Sequence, residues 1–157
     1  MVMWMLALHL FERRGDQKSM PKWEIHDNWA EKLGVLKEIS NFVNQLSDFP
    51  ERCQEFIEFC ERRGAEIIAQ LVQSCDFERI MRIPKYLQVI FVRQKGSEYL
   101  KAWYLHYALD YIRMAPELTP QEILNRIEAR FEPCQELDAI KRFVLENSKE
   151  ILQDCRA

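Results

Sequence analysis

Tyr99–Arg113 reads YLKAWYLHYALDYIR. At about 100° per residue, Tyr99, Trp103, His106, Asp110 and Arg113 fall along one stripe of a helix. An imidazole and a carboxylate therefore share a face at i, i+4 spacing, flanked by aromatic rings. Tyr104, Tyr107 and Tyr111 lie on a different side, which makes the segment apolar almost all round. A helix of that kind belongs in the middle of a bundle. Gly96-Ser97 opens it, with Ser97 as the expected N-cap, and Ala115-Pro116 ends it.

Outward from this segment the spacing stays helical. Downstream, Thr119-Pro120-Gln121-Glu122 is a capping box with proline at the first position. It opens a helix to about Arg130 through Ile123, Ile127 and Phe131, and Leu137 to Leu152 supplies the last helix. Upstream, Tyr86–Arg93 (YLQVIFVR) has the β-branched and aromatic content of a strand, but no second strand exists to pair with it, so a helix is expected. Trp23, His26, Ala30 and Leu33 mark a helix ending at Gly34. Leu36, Ile39, Val43 and Leu46 mark another, which stops before Pro50. Pro50 fits the start of a third helix, with Cys53, Phe56, Ile57 and Cys60 as its stripe and Gly64 as its close, followed by a short helix over Ala65–Val72. Gln73–Pro84 reads as an ordered connection. The expected fold is all-α: a single compact bundle of about seven helices without a sheet, spanning 1–157.

The opening run Val2–Phe11 (VMWMLALHLF) is the most apolar part of the chain. It is shorter than the roughly 20 apolar residues that cross a bilayer, and it lacks a basic segment before it and a small-residue cleavage site after it. A buried or partner-packed helix is expected there. Because Met20-Pro21 follows the polar linker RGDQKS, residues 1–19 also read as a separable N-terminal extension.

With 157 residues the chain is long enough for one domain with a sizeable core. The net charge of −3 argues against general electrostatic binding of nucleic acid. Five cysteines, odd in number and without a CxxC pair, suggest free thiols in a reducing compartment, hence a cytoplasmic location. No GxSxG, P-loop or GxGxxG is present, so the sequence offers no cradle for a nucleotide and no serine nucleophile elbow.

The residues that carry chemistry are few. His106 and Asp110 can present two ligands to one metal, or form an ordinary hydrogen bond within a packed stripe. His26-Asp27 is the second clue, bracketed by Trp23 and Trp29. Taken in order, His9, His26-Asp27 and Asp110 spell H…HD…D on a helical chain. This resembles the ligand order of the HD-domain superfamily of metal-dependent phosphohydrolases. In that family such residues hold one or two divalent metals, which orient a phosphate and activate water. The resemblance implies His9, His26, Asp27 and Asp110 as metal ligands, with His106 as a supporting or substituting one. It further implies Lys101 or Arg113 as the cation that neutralises a phosphate-containing small molecule. The expectation is thus an intact or degenerate HD-like hydrolase. The alternative is a non-catalytic helical subunit that docks on a protein partner, or on a second copy of itself, through Val2–Phe11.

Overall fold

The computed structural model describes residues 22–157, and these form helices joined by short turns, with no strand among them. The expectations for His9, for Val2–Phe11 and for the extension 1–19 lie outside the described residues. Nine helices are present among the described residues, where about seven were expected over the whole chain. They are α1 (Trp23–Leu33), α2 (Lys37–Asp48), and α3, which runs from Gln54–Phe59 through a wide π turn at Cys60–Gly64 into Ala65–Ser74. Then come α4 (Phe77–Ile80), α5 (Ile83–Lys95) and α6 (Ser97–Met114). The last three are α7 (Pro120–Arg130), α8 (Gln135–Glu146) and α9 (Ser148–Arg156). No helix of the described residues is long and apolar enough to cross a membrane.

The stops and starts have local causes. Gly34 ends α1 at φ +92°, its N–H reaching the carbonyls of Ala30 and Glu31, a left-handed cap that glycine adopts without a Cβ penalty. Gly96 sits at φ +145° between α5 and α6, a backbone region nearly reserved for glycine. Ser97 is therefore the first residue of α6 rather than its cap, and its hydroxyl donates to Glu136 instead. Thr119 accepts from the Glu122 N–H while Glu122 accepts from the Thr119 N–H, so the capping box forms as read. Gly64 does not close a helix. It keeps right-handed dihedrals (φ −58°, ψ −44°), and the chain widens to a π turn and continues. Within Gln73–Pro84, Asp76 accepts from the Arg79 N–H and caps the one-turn α4. Asn147 divides the expected last helix in two.

α6 is the axis of the bundle and packs against α1, α2, α5, α7, α8 and α9. Its Leu100, Trp103, Tyr104, Leu105, Leu109 and Ile112 are almost wholly buried. Several polar tips on this apolar helix find partners, although the buried Tyr104 hydroxyl makes no hydrogen bond with a described residue. The Trp103 indole donates to Gln88 of α5, and the Tyr107 and Tyr111 hydroxyls accept from Arg130 of α7. At the far end, Arg156 of α9 donates to the carbonyls of Ile112, Ala115 and Leu118 at 2.7–3.1 Å, placing a cation where the last turn of α6 leaves its carbonyls unpaired. α9 also holds α1, since the buried Trp29 indole donates to Asp154 at 2.8 Å. Arg156→Met keeps the aliphatic stem but removes the charged donor. It should cost about 2 kcal/mol in urea unfolding, and a loss below a few tenths would show that water replaces it.

Candidate functional site

α1, α2 and α6 meet around a small polar cluster. Trp29 and Ala30 press α1 into the core, and their turn of helix brings His26 inward with them, leaving it 3% exposed. On α6, Leu105 and Leu109 do the same for His106 and Asp110, one turn apart. Nε2 of His26 lies 2.9 Å from Oδ1 of Asp110, and Nε2 of His106 lies 3.2 Å from its Oδ2. Asp48, the last residue of α2, reaches in from the rim with Oδ1 at 3.6 Å from the same His106 nitrogen. The two imidazoles stack, centroids 3.8 Å apart and planes 11° from parallel. The histidines are buried, whereas the Asp110 and Asp48 side chains keep 14% and 27% of their exposure, so water reaches the cluster from the carboxylate side.

The carboxylate contacts are close, yet they are not aligned hydrogen bonds. Asp110 Oδ1 and His106 Nε2 are both buried without one. The other face of His106 is different. Asn44 donates from Nδ2 to Asp27 Oδ1 at 2.9 Å, and a carboxylate can only accept. Asn44 Oδ1 therefore faces Nδ1 of His106, 2.9 Å away, and accepts its N–H. This leaves Nε2 as the nitrogen turned toward the carboxylates. A bare lone pair there would repel them, so a positive charge belongs among these groups: a second ring proton or a cation. His26, His106 and Asp110 each offer one donor atom, a ring nitrogen or a carboxylate oxygen, and these three atoms lie within 4.8 Å of one another, a separation compatible with one metal ion. Bonds of about 2.1 Å place neighbouring donors about 3.0 Å apart at right angles and about 3.4 Å at the tetrahedral angle, close to the contacts seen.

The electrostatics follow from the same geometry. Burial works to raise the Asp110 carboxyl, but the His106 charge and the contacts to both histidines outweigh it and hold Asp110 well below the usual carboxylate range. Asp48 is likewise lowered, burial being outweighed by its contacts to His106 and to the Trp23 indole. Burial opposes the charge on His106, yet Asp110 and Asp48 raise it to about 9. His26 moves the other way, pushed down by burial and then by the neighbouring His106 charge, which its contact with Asp110 does not offset.

The sequence-derived site residues separate into two groups. His26, His106 and Asp110 come together. Asp27 does not join them: one step along α1 turns it away, and it accepts from Ser40 at 2.6 Å and from Asn44. Lys101 pairs with Glu98 on its own helix at 3.3 Å. Arg113 stands one turn beyond Asp110, where its charge bears on Cys155 of α9. Asp48, Asn44 and Ser40 were not anticipated. Their signal was present as a polar i, i+4, i+8 series on α2, beside Val43 and Leu46. Comparison with family models, with curated proteins and with solved structures gives no match for this chain.

In metal-free protein His106 stabilises the fold fully below its unfolded pKa of 6.5, and that contribution fades as pH rises through about 9. Asp110 contributes above the ordinary carboxylate pKa of 3.8 and loses this as acid protonates the folded carboxylate. Chelator-treated protein should therefore lose thermal stability steadily from about pH 6.5 to 9. His106→Gln should flatten that slope, and an unchanged slope would mean that His106 is neutral in the fold.

Proposed function

We propose that the chain binds one divalent cation through His26, His106 and Asp110 and uses it to activate water for hydrolysis of a phosphoester, the chemistry of the HD-like enzymes but with His106 rather than Asp27 in the ligand set. The observation that carries this reading is the approach of two imidazole nitrogens to the two oxygens of one carboxylate at 2.9 and 3.2 Å, without aligned hydrogen bonds. Three protein donors from two helices leave positions open for water and substrate, the pattern of catalytic rather than structural sites. Asp48 stands at the open edge, 3.6 Å from His106 Nε2 and outside the three-donor group, where its carboxylate could accept a proton from bound water. Asn44, by accepting from the far nitrogen of His106, does what outer hydrogen-bond partners do for metal-bound histidines: it fixes the tautomer and aims the ring.

Stacking sets one condition. Parallel rings cannot both hold an ion in their planes, so one must tilt when the cation enters. His26 is that ring, because His106 is tied to Asn44 while Nδ1 of His26 bonds to no described residue. Asp27, Lys101 and Arg113 carry no first role in this reading. The phosphate would be held by the cation itself.

Isothermal titration of Mn²⁺, Co²⁺ and Zn²⁺ into chelator-treated protein should give one site for at least one of them. His106→Ala and Asp110→Asn should abolish it, and Asn44→Ala should weaken it roughly 10–100-fold. Absence of binding by all three ions would leave His106 as a protonated partner of Asp110 and remove the catalytic reading. With the ion bound, slow hydrolysis of bis(p-nitrophenyl) phosphate should appear and be lost in Asp110→Asn. Metal binding without turnover of any phosphoester would reduce the function to cation binding.

A second reading, as an interaction subunit, draws on Val72, Phe77 and Met81, which are 58%, 70% and 73% exposed around the bend between α3 and α4. Light scattering at increasing concentration tests self-association, which Phe77→Ser and Met81→Ser together should suppress.

A further inference from the structure

A small cavity of about 10 Å³, about the size that admits a single water, lies between α1, α2 and α6. Its lining is part apolar, from Ala30, Val43, Ala102 and Leu105, and part polar, from His26, Ser40, Asn44 and His106. Nδ1 of His26 is buried and has no hydrogen-bond partner among the described residues, in a side chain only 3% exposed. A ring nitrogen left in that condition bears the full penalty of losing its water, and native interiors rarely tolerate it.

From this cavity and this nitrogen we infer that one buried water bridges His26 Nδ1 to the Ser40 hydroxyl, so that Asp27 anchors both imidazoles. The route to His106 is direct: Asp27 accepts from Asn44, and Asn44 accepts from His106 Nδ1. The route to His26 is one member longer. Ser40 spends its proton on Asp27 at 2.6 Å, which leaves its oxygen lone pairs free to accept from the water. The water then meets Nδ1 in either tautomer, donating to a bare nitrogen or accepting from a protonated one. It therefore permits His26 to change tautomer without losing its partner, and to tilt while remaining bonded. Asp27 becomes a positioning residue: it touches neither the Asp110 carboxylate nor its contacts, yet both rings are held through it.

The inference stands whether or not a cation binds, and its test is run on chelator-treated protein. A crystal structure at a resolution that shows ordered waters should place a density peak within hydrogen-bond distance of His26 Nδ1 and Ser40 Oγ. In ¹⁵N spectra of the imidazoles, Ser40→Ala should move the His26 Nδ1 resonance by several ppm while the His106 Nδ1 signal keeps its N–H character. A merely structural loss would lower the melting temperature without that selective shift. A cavity without density, a direct protein partner on His26 Nδ1, or a His26 resonance unmoved by Ser40→Ala would each overturn the inference. If metal titrations fail while the water and the selective shift are present, the inference holds and the hydrolase reading alone falls.

Discussion

Two imidazoles and two carboxylates crowd one half-buried point, and such a meeting is tolerable only with positive charge inside it. Removing carboxylates from water costs several kcal/mol each unless a cation or donors compensate. Asp110 is compensated from both sides by histidines on different helices. The 2.9 Å approach of His26 ties the orientation of α1 to that of α6, because a hydrophobic contact survives small slips and a short polar contact does not. The electrostatic demand of one carboxylate thus fixes the relation between two helices.

α2 provides the other half of the arrangement. Its apolar side, with Val43 and Leu46 buried, would suffice to seat it on α6. The adjoining polar series Ser40, Asn44 and Asp48 adds directionality: each residue stands one turn from the next, and together they run from the interior at Ser40 to the rim at Asp48. Buried polar groups of this kind are expensive when unmatched and specifying when matched. Here the match extends across all three helices, with Asp27 of α1 and His106 of α6 meeting on Asn44.

The helical class was legible because the spacing is consistent over nearly the whole chain, and the centrality of α6 because its residues are apolar on every side. His106 and Asp110 were legible as a pair for the same reason, being neighbours on one helix. Meetings between helices were harder to read. Asp27 reads as the natural companion of His26, but residues adjacent in a helix point about 100° apart, and here Asp27 is taken up by Ser40 and Asn44 of α2 instead. Asp48 carries no sequence signal of its own, since a carboxylate at a helix end two residues before a proline reads as a solvated terminus. Gly64 misled in the opposite sense: glycine ends helices when its φ turns positive, and nothing in the sequence says that a π turn will absorb it instead.

One consequence concerns the order of events during synthesis. The helices that carry the three donors are each fastened to α9, α1 through Trp29 and Asp154 and α6 through Arg156. Those contacts bridge as many as 125 positions of chain, and α9 leaves the ribosome after every residue of the cluster has already emerged. Until it docks, α1 and α6 are joined only by their own contact and by α2, so the charge-dense centre would reach its final geometry only after α9 has formed.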